Sequence, residues 1–133
     1  MELTLNGESY EVASLGGLRY HLPKISERQF CEIWLYSESG WPAVCTLVNG
    51  SYAWLMFLRE EGDSGFSTRN PKYDGPKEAL IEYFLSNGQR DEYPAAWNVT
   101  TPEAIRALEY FFEHEAMAPW LQWQEEHPAS HAA

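Results

Sequence analysis

The four histidines and two cysteines are among the side chains in this sequence that could act as nucleophiles or bind a metal ion. Cys31 and Cys45 lie in apolar runs, without a nearby histidine or helix N-terminus to lower a thiol pKa. We therefore predict two reduced, buried thiols. Among the histidines, His127 and His131 have an i, i+4 spacing, but Pro128 between them is typical of a frayed tail. The sequence predicts no metal site and no cofactor.

Carboxylates are the most abundant reactive groups, since the chain has 20 Asp and Glu residues. General acid–base catalysis needs two groups that converge on one substrate. The pairs Glu60-Glu61 and Glu125-Glu126 are adjacent in sequence, and neighbours on a strand point to opposite faces. The chain also lacks a phosphate-binding loop in a strand–helix context and the Gly-x-Ser-x-Gly nucleophile turn. We predict a solvated acidic surface on a protein that is not an enzyme.

The net charge restricts the class of partner. Nine Lys and Arg residues against 20 Asp and Glu residues give a formal net charge of −11. A protein that grips nucleic-acid phosphates or anionic lipid needs clustered basic residues, so both functions are excluded. An acidic protein instead attracts basic proteins and accelerates association with them. The alternative is that the charge only favours solubility.

The elements that must position these groups begin with a predicted β-meander in the middle of the chain. Residues 30–36, 43–48 and 52–58 are rich in β-branched, aromatic and other apolar residues. Asn49-Gly50 separates the last two runs and is a strong hairpin signal, because its turn requires positive φ angles.

Strand register decides whether the two cysteines could form a disulfide. A two-residue turn at Asn49-Gly50 places Cys45 opposite Trp54. If Ser39-Gly40 is also a two-residue turn, Cys31 lies opposite Val48. Neither register brings the two sulfur atoms together, so we predict no disulfide.

Turn residues divide the rest of the chain into shorter pieces. We predict a short strand or hairpin over 3–22, with turns at Asn6-Gly7 and Gly16-Gly17. Further strands are predicted at 66–69, 78–85, 91–99 and 120–124. Pro94 makes 91–99 either an edge strand or an irregular one.

The best helical pattern covers residues 102–115. Thr101 is the predicted N-cap, while Thr100 and Glu103 offer a capping box one residue earlier. We predict an α+β fold in one domain over residues 1–133: an antiparallel sheet of about six strands, one C-terminal amphipathic helix on a face, and a short closing strand.

Aromatic residues set among carboxylates indicate a binding surface. The chain has six Trp, eight Tyr and six Phe, which exceeds what one helix and the central strands can bury. Exposed rings act as rigid anchors and charges steer the partner. An alternative that stays open for Tyr73 and Tyr93 is that these rings only fill the core. The predicted partner-binding residues are Glu60, Glu61, Asp63, Tyr73, Asp74, Asp91, Glu92 and Tyr93.

The C-terminal part resembles a known family. Its motifs are Tyr83-Phe84-Leu85-Ser86-Asn87-Gly88-Gln89, Tyr93-Pro94, the run from Thr101 to Phe112, and Pro119-Trp120-Leu121-Gln122-Trp123. Their order and spacing resemble the first-numbered family of immunity proteins from bacterial polymorphic toxin systems. Trp123 with Glu125 is similar to the closing Trp-Glu signature of that family, with Gln124 where an acid usually follows.

The resemblance implies a small α+β protein without enzymatic activity that binds one cognate toxin and shields the producing cell and its kin. The toxins that neighbour this family are often nucleic-acid deaminases, though other toxin domains occur. A deaminase takes a base into a zinc pocket. Because basic surface lines such a pocket, an acidic protein could cover its mouth. Two other functions stay open: a small-molecule-binding domain with an aromatic-lined pocket, and an acidic mimic of nucleic acid. Without a recognisable signal peptide or membrane span, we expect a cytoplasmic protein that contacts neither nucleic acid nor membrane directly.

Overall fold

The structure is a computed structural model that describes residues 1–127, and most of its regular elements are strands. The predicted tail with His131 therefore lies outside the described residues. No helix within residues 1–127 has the length and apolar character to cross a membrane. The helices are α1 (Leu15–His21) and α2 (Thr101–His114), with two short 3₁₀ helices at Leu22–Glu27 and Ala95–Trp97. The strands are β1 (Glu2–Leu5), β2 (Glu8–Glu11), β3 (Phe30–Tyr36), β4 (Ala43–Asn49), β5 (Tyr52–Leu58), β6 (Phe66–Arg69), β7 (Leu80–Phe84), β8 (Arg90–Pro94), β9 (Val99–Thr100) and β10 (Gln122–Glu125).

Eight of the strands form one antiparallel sheet, so the predicted α+β class is confirmed. Their order is β10-β6-β5-β4-β3-β1-β2, and the short β9 pairs with β5. The central meander β3-β4-β5 follows the predicted runs, because each run is long and apolar. The strands β7 and β8 leave this sheet and form a separate hairpin.

One face of the sheet packs against the helices. Strand alternation places the aliphatic side chains of β1, β3, β4 and β5 on this face, where they meet the apolar side of α2. Burial of this aliphatic layer removes the largest continuous apolar surface from water and provides most of the driving force for folding. The fully buried residues on this side are mainly aliphatic, with one aromatic ring among them: Leu3, Leu18, Ile33, Leu35, Leu55, Leu108 and Phe111.

The opposite face packs against the β7–β8 hairpin. Tyr83 from β7 is completely buried against Cys45, Leu47 and Trp54 of the sheet. The hairpin also lies over the beginning of β3, where the rings of Phe84 and Phe30 meet edge to face with centroids 4.8 Å apart. This face therefore has an aromatic core that is separate from the aliphatic one.

A capping box starts α2, as the sequence predicts. The Thr100 hydroxyl accepts a hydrogen bond from the Glu103 N–H (3.3 Å), and the Glu103 carboxylate accepts one from the Thr100 N–H (3.0 Å). The N-cap is thus Thr100, and the prediction of Thr101 is wrong. The Thr101 hydroxyl instead donates to the Gly50 carbonyl at 2.8 Å and ties the helix to the β4–β5 turn.

The predicted turn at Gly16-Gly17 is wrong, because both glycines lie inside α1. The Ser14 hydroxyl caps this helix by accepting from the Gly17 N–H at 3.0 Å, and Leu18 is fully buried. A cap and one buried leucine together overcome the poor helix propensity of two glycines.

The register of the β4–β5 hairpin differs from the predicted one. Asn49 pairs with Tyr52, so Cys45 faces Met56 and not Trp54. Asn49 stays in the strand because its side-chain amide donates to the Glu82 carbonyl at 2.9 Å. Cys31 does face Val48, as predicted, and both cysteines are free.

The strand predicted over 91–99 ends early. It stops at Pro94, and the 3₁₀ helix Ala95–Trp97 follows. A proline removes a backbone donor from the ladder, and the chain then turns back to reach the sheet at β9.

Candidate functional site

The acidic turn between β5 and β6 holds two kinds of carboxylate. Glu60 and Glu61 are exposed. The Asp63 side chain is only 9% exposed, and it accepts hydrogen bonds from the Arg59 backbone N–H (2.9 Å), Nε (2.8 Å) and Nη2 (2.9 Å). The Arg59 guanidinium holds the pKa of Asp63 well below its ordinary value. Asp63 therefore shapes the turn, and the two glutamates carry its accessible charge.

The loop between β6 and β7 carries the second group of predicted residues. Asp74 is exposed, whereas Tyr73 is half-buried and donates its hydroxyl hydrogen to the Pro76 carbonyl at 2.8 Å. The Tyr73 ring lines a cleft of about 570 Å³ together with Tyr52, Ile81 and Val99.

The third group lies on β8. Asp91 accepts hydrogen bonds from the side chains of Gln89 (2.8 Å) and Tyr93 (3.3 Å), and Glu92 pairs with Arg90 at 2.9 Å. Burial raises the pKa of Tyr93, and the neighbouring Asp91 carboxylate raises it further. The phenol therefore stays protonated at neutral pH and acts as a hydrogen-bond donor.

The Tyr93 ring belongs to an aromatic column that fixes the hairpin to the sheet. It stacks on Trp54 with centroids 4.0 Å apart, and Trp97 lies on its other flank at 6.1 Å. The Arg69 guanidinium covers Trp97 at 3.7 Å from the ring centroid and pairs with Glu126 at 2.9 Å. Tyr93 therefore packs against the aromatic core and is also partly exposed at the surface.

The eight predicted residues occupy three places and do not form one cluster. Glu92 and Tyr93 line a cleft of about 450 Å³ that also contains Trp97, Arg69 and Glu126. Tyr73 lines the separate cleft described above. The remaining acidic residues lie on the β5–β6 turn, on the β6–β7 loop and beside the hairpin turn. Together they give the molecule several separate acidic surfaces.

The nucleophilic side chains are held in unreactive forms. Burial raises the pKa of the Cys31 thiol to about 11, and it raises the pKa of Cys45 strongly as well. A thiol with a raised pKa carries little thiolate at neutral pH. Within residues 1–127, no three His, Cys, Asp or Glu side chains are grouped closely enough to hold a metal ion.

Three partly exposed aromatic residues were not among the candidates predicted from the sequence. Trp34 and Tyr36 alternate on β3, and Trp41 follows in the next loop; all three are half-buried on the hairpin side of the sheet. The i, i+2 spacing of Trp34 and Tyr36 predicts that they share a face. Whether that face is covered depends on where a distant hairpin packs, which the local sequence does not contain.

The family described as Immunity protein Imm1 matches residues 21–125. The chain belongs to the Imm1 family of immunity proteins. A search among curated proteins gave no match.

The Imm1 match extends further than the resemblance identified from the C-terminal motifs. It includes β3, β4 and β5 as well as the hairpin, α2 and β10. All eight predicted binding residues lie inside it. The Imm1 family implies a toxin as the partner of this chain.

Proposed function

We propose that this chain is an immunity protein that binds one cognate bacterial toxin and neutralises it by covering its active site. The observation that carries the proposal is the match of residues 21–125 to the Imm1 family. The arrangement of reactive groups supports a binding role over a catalytic one, because the thiols are protonated and the predicted acidic residues lie in three separate places.

The partner we propose is a basic toxin, with a nucleic-acid deaminase as the favoured class. A net charge of −11 supports a cationic partner, since opposite charges steer two proteins together. A deaminase must guide a phosphate backbone to its pocket and therefore carries basic surface there. An acidic protein that occupies this surface excludes the substrate by sterics and by charge.

The proposed contacts are those predicted from the sequence: Glu60, Glu61 and Asp63 on the β5–β6 turn, Tyr73 and Asp74 on the next loop, and Asp91, Glu92 and Tyr93 on β8. Of these, Glu60, Glu61, Asp74 and Glu92 are exposed and can meet a partner directly. Asp63 and Tyr93 support their neighbours through internal contacts. The chain acts as one domain over residues 1–133, in the cytoplasm of the cell that makes the toxin.

Co-expression tests this function directly. Each toxin domain encoded beside the gene is expressed with and without the intact chain, and cell growth is followed. We expect restored growth with one of these toxins, and co-purification of that toxin in a catalytically inactive form. The matched control is the same chain with Leu108→Asp, which introduces a charge into the aliphatic core and should abolish protection. Growth arrest with every neighbouring toxin, despite folded protein, would contradict the proposal.

A further inference from the structure

The hairpin covers only part of the sheet face opposite α2. Side chains of Trp34, Cys45, Met56 and Ser67 form a row across β3, β4, β5 and β6, because the strand registers place them opposite one another. On one side of this row the face packs against the hairpin through Tyr83 and Tyr93. On the other side lie Tyr36 at the end of β3 and the loop that follows it.

The rings at this end form an ordered aromatic surface. Trp34 and Tyr36 are stacked, with centroids 5.7 Å apart and planes 10° apart, and Tyr36 meets Trp41 edge to face at 5.8 Å. The Trp34 indole N–H donates to Glu32 at 3.0 Å, and Glu32 also accepts from the Ser86 N–H at 2.9 Å. The ring of Trp34 is thus fixed in place before any partner arrives, which reduces the entropy lost on binding.

Carboxylates surround this aromatic surface. Tyr36 and Trp41 line a cavity of about 220 Å³ together with Glu2, Glu11 and Glu38. The side chains of Glu11 and Glu38 are 74% and 77% exposed, and Glu2 is exposed as well. The Met1 amino group pairs with Glu38 at 2.8 Å and Glu11 at 3.3 Å, which leaves a surplus of negative charge beside the rings.

We propose that the surface formed by Trp34, Tyr36 and Trp41 binds an arginine-bearing loop of the toxin. A guanidinium stacks on aromatic faces and pairs with carboxylates, and this surface offers both groups side by side. Fixed aromatic rings in a partly enclosed site are also the usual residues that dominate binding free energy. The inference rests on the proposed function and adds to the contacts named there a further contact surface and the chemistry of the toxin residue that it binds.

The test measures binding of the intact chain to the catalytically inactive toxin domain that co-expression identifies. Trp41→Ala removes a ring from the surface, and its matched control is Trp120→Ala, which removes a 47% exposed Trp that contacts Tyr110 on the helix side. We expect Trp41→Ala to raise the dissociation constant at least about 30-fold, as for an interface anchor. Trp120→Ala should change it less than about twofold, as for a residue outside an interface.

A second pair of variants tests the charge and avoids any loss of folding. Glu2→Lys reverses an exposed charge beside the rings, and Glu27→Lys reverses an exposed charge on the 3₁₀ helix that packs on the other face. Both change the net charge equally. We expect Glu2→Lys to slow association about threefold to tenfold more than Glu27→Lys at low salt, because steering is strongest near the contact.

The outcomes separate the two proposals. Suppose that the natural chain binds the toxin tightly, and that Trp41→Ala and Glu2→Lys each behave like their control variants. This result would overturn the contact surface and leave the immunity function standing. A natural chain that binds none of the neighbouring toxins would overturn the immunity function itself.

Discussion

The two faces of the central sheet differ in chemistry and in how completely they are covered. The face toward α2 is aliphatic and closed, and its central residues Leu3, Ile33 and Leu35 have no exposed surface. The face toward the hairpin is aromatic, and Tyr83 and Tyr93 cover part of it. Beyond them Trp34 and Tyr36 remain half-buried. One face therefore supplies stability, while the other combines stability with the surface for which we propose a partner.

The largest expected effect lies on the aliphatic face. Phe111 is 1% exposed and packs against Phe57 with ring centroids 6.1 Å apart. Phe111→Ala should lower the free energy of unfolding by about 3–5 kcal/mol, because it leaves a cavity. Urea denaturation measures this loss, and Trp41→Ala should cost far less. A larger loss for Trp41→Ala than for Phe111→Ala would reverse the assignment of the two faces.

A smaller effect separates carboxylates that hold the fold from those that are free to bind. The ordinary pKa of an unfolded Asp is about 3.9, and Arg59 lowers the pKa of folded Asp63 below its ordinary value. The stabilisation is therefore complete above about pH 4 and is lost as the pH falls toward the folded pKa. We expect Asp63→Asn to cost about 1 kcal/mol at pH 7, and the difference from the natural chain to shrink below about pH 4.

Glu60→Gln is the control for this measurement, since Glu60 lies exposed in the same turn. The free energy of unfolding of Glu60→Gln should match that of the natural chain at pH 7 and at pH 3. A cost for Asp63→Asn that stays constant from pH 7 to pH 3 would show that the Arg59 contact does not account for the effect.

The smallest effect compares the same defect on the two faces. The hydroxyls of Thr46, toward α2, and Tyr83, in the hairpin core, are buried without a hydrogen-bond partner among the described residues. Removing a buried, unsatisfied hydroxyl is neutral or stabilising. Thr46→Val and Tyr83→Phe should therefore each raise the free energy of unfolding by up to about 1 kcal/mol. A loss of stability in either variant would reveal a partner for that hydroxyl.

The fold could be predicted largely where local signals are strong. Long apolar runs predicted β3 and β5 with their observed bounds, and the Thr100–Glu103 spacing predicted the capping box of α2. The failures occurred where distant contacts decide. Leu18 draws Gly16 and Gly17 into a helix by its burial, although glycine pairs are typical of turns.

The candidate site was less predictable than the fold for the same reason. The acidic residues were identified by composition, but the sequence does not reveal that Arg59 forms an ion pair with the Asp63 carboxylate. Alternation places Trp34 and Tyr36 on one face, yet only the packing of the hairpin leaves their end of that face uncovered. Partner-binding surfaces depend on which elements fail to cover a face, and this is a property of the whole tertiary structure.

The most direct test of the account is hydrogen exchange of the intact chain, free and bound to the catalytically inactive toxin domain. We expect toxin binding to slow exchange in residues 34–41, which carry the proposed aromatic surface, and in β8, which carries three of the proposed contacts. Exchange in α2 should stay unchanged. Protection confined to α1 and α2, with unchanged exchange in residues 34–41, would contradict the account.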